Sequence, residues 1–114
     1  MAYFALFYDV VDDFVDKRKA FRQDHLGHAG KACERGELLL AGALAEPADG
    51  ALLVFRTHDR AVVESFARED PYVVAGLVLK WRVRLWNNVI GENLPIDATP
   101  RIAADAGHLE AERL

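Results

Sequence analysis

Two short runs of this chain are apolar at every position, and each is bounded by polar residues. Residues 3–8 (YFALFY) end at Asp9, and residues 51–55 (ALLVF) follow an Asp-Gly turn at 49–50. A strand with this pattern is covered on both faces, whereas a half-exposed strand is apolar only at alternate positions. The runs therefore predict two central strands of a buried sheet.

A helical pattern of apolar residues fills residues 13–33, between the first strand and the second. Asp13 and Asp16 are suited to cap and charge its first turn, and Gly36 is suited to end it in the left-handed conformation. On the helical wheel His25 lies near the centre of the apolar sector. That sector contains Phe14, Val15, Phe21, Ala29, Ala32 and Cys33.

The remaining strands follow from turn signals and alternation. Residues 37–44 (ELLLAGAL) and the run at 51–55 flank a Pro and Asp-Gly turn, which predicts a hairpin. Residues 77–86 (LVLKWRVRLW) alternate between apolar and basic positions, which indicates a strand at a sheet edge or beside a polar cavity. One face contains Leu77, Leu79, Trp81, Val83 and Leu85, and the other contains Val78, Lys80, Arg82, Arg84 and Trp86.

A second helical region precedes this last strand. Asp59 is the expected cap of a helix whose buried side is Val62, Val63, Phe66 and Ala67. Pro71 ends that helix, and Asp70 is the expected cap of a second short helical piece that ends near Gly76.

The order β-α-β-β-α-β predicts an α+β domain with a four-stranded antiparallel sheet and its helices on one face. Right-handed crossovers place the first and third strands side by side. Since the helices cover one face only, the opposite face of these apolar strands needs another cover. We expect a homodimer or higher homo-oligomer in which sheet faces sheet.

Size and charge exclude several classes of protein. A chain of 114 residues that is 52 % hydrophobic suits one domain, residues 1–90. Residues 91–114 form a C-terminal extension, either an arm over a neighbouring subunit or a disordered tail. A net charge of −4 argues against nucleic acid as a partner. Without a signal peptide or an apolar span we expect a cytoplasmic protein and no membrane partner.

His25 is the first candidate for chemistry, because a buried imidazole needs a partner for each ring nitrogen. Two core partners would make it structural, and a nitrogen facing a cavity would make it functional. The single cysteine, Cys33, is interpreted as a small buried hydrophobe, with a nucleophile as the alternative. His28 lies near His25, but no carboxylate pattern accompanies them and no metal is expected.

Three motifs occur in order: R-x-x-H-L at 22–26, G-x-L-x-x-A-G at 36–42 and D-P-Y-x-x-A-G at 70–76. With the opening strand they resemble the YCII-related family over residues 3–90. The resemblance implies a ferredoxin-like βαββαβ fold of the dimeric α/β-barrel type, a homodimer, and an active site built on His25 and Asp70. The loop between the second and third strands is shorter than is common in that family, and the tail is longer.

An aspartate that accepts a hydrogen bond from one imidazole nitrogen fixes the tautomer and makes the other nitrogen a better base near neutral pH. Asp70 is placed to do this, although capping alone would also explain it. Arg22 either holds an anionic substrate or pairs with an acid at the helix edge. Tyr72 either lines the pocket or packs in the core.

Three further polar residues have alternative interpretations. Asp9 is interpreted as a residue that solvates a turn, with a place near the site as the alternative. Arg82 and Arg84 form either a second anion site or a strand face that is solvated or salt-bridged across an interface.

No Ser-centred elbow, Walker loop or dinucleotide fingerprint is present, so no cofactor is expected. The sequence predicts acid/base catalysis on a small cyclic or aromatic compound, as in a dehydrochlorinase-like lyase or an isomerase, by resemblance. The alternative is a non-catalytic dimeric module that binds a small ligand or supports a partner.

Overall fold

The computed structural model describes residues 1–91 of the chain. Four strands form one antiparallel sheet in the order β2-β3-β1-β4. This is the predicted ferredoxin-like α+β architecture, and the two apolar runs are its central strands. The strands are β1 (Ala2–Val10), β2 (Leu38–Ala43), β3 (Gly50–Thr57) and β4 (Val78–Trp86).

Four helices accompany the sheet: α1 (Phe14–Lys17), α2 (Arg22–Glu34), α3 (Arg60–Glu69) and α4 (Pro71–Val74). The predicted single helix over residues 13–33 is wrong, because a 3₁₀ turn separates α1 from α2 at residues 18–20. A 3₁₀ residue advances the wheel by about 120° instead of about 100°. The wheel positions of α2 are therefore shifted relative to those of α1, so a single helical wheel does not describe both helices.

Three members of the predicted apolar sector are exposed. Phe21 and Cys33 lie beyond the turn, whereas Val15 precedes it in α1 and is not explained by this shift. Phe14 and Ala32 enter the core as expected.

The predicted side-chain cap at Asp13 is also absent, because this residue has a left-handed backbone with φ 58°. An N-cap side chain reaches the helix from an extended backbone. Gly36 does end α2 with φ 78°.

The core lies between the helices and one face of the sheet. Alternate residues of β1 and β3 point into it, as the period of a strand requires. Its fully enclosed members include Leu6 and Phe55 from the sheet and Val63 from α3. The rest of the cluster contains Phe4, Tyr8, Val10, Phe14, Ala32, Leu38, Leu53, Phe66, Ala67, Tyr72, Leu77 and Val78.

A bulge shifts the start of β4 against β1. Val10 pairs with Val78 and Asp9 with Lys80, so Leu79 is an extra residue opposite this step. Leu79 is consequently exposed and Val78 buried, which corrects the predicted faces at this end of the strand. Farther along, Trp81, Val83 and Leu85 pack against the core as predicted.

The face of the sheet opposite the helices, here called the outer face, has an apolar centre. Tyr3, Ala5 and Phe7 of β1 lie there beside Leu52 and Val54 of β3. Basic side chains border this centre: Lys80, Arg82 and Arg84 from β4, and Arg56 from β3. No helix covers the outer face within residues 1–91.

No helix in the described part of the chain is long and apolar enough to cross a membrane. The predicted extension falls beyond Ile90 and Gly91, and residues 92–114 lie outside the described residues.

Gly50→Ala tests a close approach between the backbones of β1 and β3. A Cβ at residue 50 would lie 2.7 Å from the Tyr8 carbonyl oxygen, so β1 and β3 must separate. We expect the free energy of unfolding to fall by about 1–3 kcal/mol in urea denaturation. Gly30→Ala is the control, since nothing beyond its own helical backbone and chain neighbours lies within 4 Å of that Cβ and helix α2 should gain about 0.5–1 kcal/mol. Equal effects of the two substitutions would contradict the packing described.

Candidate active site

Asp70 lies at the junction of α3 and α4 and is completely buried. Its backbone is extended, which ends α3 and lets the side chain cap the next helix. The Tyr72 backbone N–H donates to Oδ1 at 3.0 Å, and Pro71 occupies the first helical position, where no N–H is needed. The cap therefore holds a carboxylate in the core in a fixed orientation.

Two side chains complete the hydrogen bonds of this carboxylate. The Tyr8 hydroxyl donates to Oδ2 at 2.7 Å, and Nδ1 of His25 lies 2.8 Å from Oδ1. An ionised carboxylate only accepts hydrogen bonds, so Nδ1 of His25 carries the proton. In neutral His25 the lone pair is then on Nε2, which has no hydrogen-bond partner among the described residues.

Ring packing fixes the plane of the imidazole. The His25 ring stacks on Tyr72 with centroids 3.9 Å apart and an angle of 10° between the planes. The Phe14 ring meets the Tyr72 ring edge-on at 5.3 Å. The His25 side chain keeps only 14 % of its surface exposed, so both position and orientation are set by neighbours.

A pocket of about 300 Å³ opens between α2 and strands β2 and β3. His25 and Tyr72 form one wall, and small residues of the edge strand β2 form the opposite one. Arg18 and Arg22 add positive charge. The complete lining is Tyr8, Phe14, Arg18, Arg22, His25, Leu26, Ala29, Ala41, Gly42, Ala43, Ala51, Leu53 and Tyr72.

The two tyrosines at the site are held in their neutral form. Burial, the negative charge of Asp70 and the hydrogen bond to it all raise the pKa of Tyr8, burial contributing most. Burial also raises the pKa of Tyr72, and the negative charge of Asp70 acts in the same direction, while the positive charges of Arg18 and Arg22 and a hydrogen bond from Arg22 act in the opposite direction.

Three of the four residues predicted for the site, His25, Arg22 and Tyr72, line the pocket, and the fourth, Asp70, is buried behind them and bonded to His25. Their roles in catalysis or binding stay predictions. Tyr72 is both a core residue and a pocket residue, so the two alternatives for it are combined.

The other polar candidates lie elsewhere. The His28 imidazole donates from Nε2 to the Phe66 carbonyl at 2.9 Å and so links α2 to α3. Asp9 forms an ion pair with Lys80 at 3.5 Å instead of solvating a turn. Arg82 lies on the outer face over the Phe7 ring. In residues 1–91, no group of three His, Cys, Asp or Glu side chains is placed to hold a metal ion.

Tyr8 and Arg18 are site residues that the sequence reasoning missed. Tyr8 is on the core-facing side of β1 with Phe4 and Leu6, and a buried phenol needs a hydrogen-bond partner. The position of Tyr8 among the core-facing residues of β1 could therefore have indicated a buried hydrogen-bond donor at the site. Arg18 lies one helical turn before Arg22, but its direction depends on the 3₁₀ turn, which the apolar pattern does not reveal.

Tyr8→Phe tests the buried phenol through pH. The raised pKa of Tyr8 stabilises the folded state below the ordinary tyrosine value, and this contribution is lost as pH rises above about 10. We expect the stability of the wild type to fall more steeply in that range than that of Tyr8→Phe, by up to about 1.4 kcal/mol per pH unit. Urea denaturation of both proteins from neutral to alkaline pH measures the difference. Identical slopes would mean that the phenol ionises freely in the folded protein.

Comparison with solved structures shows the same fold in two proteins. The 5-chloro-2-hydroxyhydroquinone dehydrochlorinase from Burkholderia phenoliruptrix, solved with 2,5-dihydroxybenzoquinone, matches with a TM-score of 0.66 at 18 % identity. The match covers 80 % of this chain and 97 % of that one. A candidate antibiotic biosynthesis monooxygenase from Nitrosomonas europaea matches with a TM-score of 0.54 at 12 % identity, over 79 % of this chain and 100 % of that one.

Sequence comparisons give a family but no individual relative. No curated protein matches the chain significantly. The model of the YCII-related domain matches residues 1–87, which include every residue of the site described above. The chain therefore belongs to the YCII-related family.

Proposed function

We propose that the pocket is an active site in which His25 transfers protons on a small cyclic or aromatic compound without a cofactor. The observation that carries this proposal is the pairing of Nδ1 with buried Asp70, which leaves Nε2 of a pocket-lining histidine without a partner. A general base needs both a free lone pair and a group that stabilises its protonated form. Nε2 supplies the first and the Asp70 carboxylate the second.

The proposed reaction begins when Nε2 removes a proton from the bound compound. His25 becomes an imidazolium ion that Asp70 stabilises, and the electron pair of the broken bond moves into the substrate. In an elimination the pair expels a leaving group such as chloride, and His25 then releases its proton to water. In an isomerisation His25 returns the proton to a different atom of the same molecule.

The size and lining of the pocket favour a single ring as substrate. About 300 Å³ is at the small end of ligand pockets, and the stacked His25 and Tyr72 rings offer a planar wall. The complex of the Burkholderia dehydrochlorinase with 2,5-dihydroxybenzoquinone supports a compound of this kind here. Arg22 and Tyr72 are proposed to bind it.

His25→Ala tests the catalytic role. The substrates are chlorinated hydroquinones, beginning with 5-chloro-2-hydroxyhydroquinone. Chloride release is measured by ion chromatography, and exchange of ring protons with D₂O by NMR. Loss of the base should lower both rates by a factor of about 10²–10⁴. Asp70→Asn should also lower them, because it keeps the shape of the carboxylate but removes its charge.

The matched control is His58→Ala, since His58 is an exposed histidine outside the pocket lining. This variant should keep the wild-type rates. If the wild type exceeds His25→Ala in neither assay, the catalytic proposal is wrong. The bond to Asp70 and the stacking on Tyr72 would then make His25 a structural residue of a non-catalytic, ligand-binding module.

We also propose that the protein forms a homodimer through the outer face of the sheet. Its apolar centre on β1 and β3 has no cover within residues 1–91, and most homo-oligomers use two-fold interfaces. A two-fold axis parallel to the strands and centred between β1 and β3 would set each β4 opposite the partner's β2. The basic residues Lys80, Arg82 and Arg84 of the two copies would then lie at opposite edges.

Leu52→Glu tests this interface by placing a charge at the centre of the outer face. We expect the wild type to sediment as a dimer and this variant as a monomer, because an unpaired buried carboxylate is strongly unfavourable. Val74→Glu is the control, since Val74 is exposed on α4 in the helix layer and should leave the dimer intact. A wild-type monomer, or a dimeric Leu52→Glu variant, would contradict the proposal.

A further inference from the structure

The mouth of the pocket contains two arginines whose charges are not neutralised. Arg18, in the 3₁₀ turn, and Arg22, the first residue of α2, both line the pocket. Neither forms an ion pair with a carboxylate in the part of the chain that the structure describes. Their neighbour Lys19, in contrast, pairs with Asp16 at 3.0 Å. In a chain with a net charge of −4, this is a local concentration of positive charge.

The Tyr72 hydroxyl provides a second, independent sign of a ligand. Tyr72 is 4 % exposed, and its hydroxyl makes no hydrogen bond of normal geometry among residues 1–91. Arg22 interacts with the hydroxyl oxygen, but a guanidinium only donates, so the hydroxyl proton has no acceptor in this part of the chain. A buried hydroxyl that is not fully satisfied is costly and uncommon in native proteins. This hydroxyl belongs to the ring that stacks on His25 and is close enough to both arginines for their charges to act on it.

Packing limits the freedom of one of these arginines. The Arg18 guanidinium lies 5.6 Å from the centre of the Phe14 ring, which itself contacts the Tyr72 ring edge-on. A guanidinium that is stacked in this way loses less freedom when it binds an anion. Phe14 is fixed in the core, so the fold places Arg18 at the pocket independently of any ligand.

We infer that Arg18, Arg22 and the Tyr72 hydroxyl form a subsite for a carboxylate attached to the ring that His25 acts on. Two guanidinium groups and a hydroxyl donate hydrogen bonds to both oxygens of a carboxylate. The substrate class narrows to aromatic or cyclic acids whose acidic substituent lies at the pocket mouth. This inference rests on one part of the proposed function, namely that the ring binds in this pocket. It does not depend on catalysis by His25.

Three probes with the same ring separate the contribution of the carboxylate to binding affinity from that of the ring. They are 2,5-dihydroxybenzoate, its methyl ester and hydroquinone, titrated into the full chain by calorimetry at neutral pH and millimolar concentration. The carboxylate should bind about tenfold more tightly than the ester or hydroquinone, which corresponds to one charge-assisted hydrogen bond. Added salt should weaken its binding and leave the ester unchanged.

Substitutions of the arginines assign this preference to the subsite. Arg18→Gln and Arg22→Gln should each lower the affinity for the carboxylate about tenfold and lower the affinity for the ester by a smaller factor, so that the preference for the carboxylate is lost while the pocket still binds the ring. Lys19→Gln is the matched control, because it removes the same charge from a neighbouring position outside the pocket. It should bind all probes as the wild type does.

The inference is overturned if the carboxylate and the ester bind equally, if no probe binds, or if Lys19→Gln loses as much affinity as the arginine variants. These outcomes are distinct from failure of the proposed function, which is measured by proton transfer. His25→Ala should lower the rate of proton transfer as stated above and still bind the carboxylate more tightly than the ester.

Discussion

The site depends on one buried carboxylate. The Asp70 carboxylate accepts hydrogen bonds from a backbone N–H of α4, a phenol of β1 and an imidazole of α2. A buried anion is tolerated only when donors surround it, so these three elements are held in a fixed relation by the cost of separating them. The pocket wall is a direct product of that requirement.

Asp70 therefore has both a structural role and a chemical role. As a cap, Asp70 ends α3 and starts α4 at a point where Pro71 prevents one continuous helix. As a hydrogen-bond acceptor, it selects the tautomer of His25 and so decides which nitrogen faces a ligand. Since Oδ1 takes part in both tasks, the position of the helix start also sets the position of the imidazole.

Much of the fold could be predicted because it follows from local patterns. Continuous apolar runs identified β1 and β3, and the cap and proline signals located Asp70. The pairing of Asp70 with His25 is not local: 45 positions separate them, and the family resemblance, not the pattern, suggested it. The break between α1 and α2 was missed because three 3₁₀ residues carry no proline or glycine signal. Because this break was missed, the exposure of Phe21 and the direction of Arg18 were not predicted either.

The wall of the pocket opposite His25 is formed by an edge strand. Ala41 and Ala43 of β2 line the cavity but are exposed and lie outside the core cluster. A larger side chain at either position would take up space in the cavity without displacing a core residue. Selectivity for ligand size can thus change separately from the stability of the fold, and β2 is the part of the sheet where such divergence costs least.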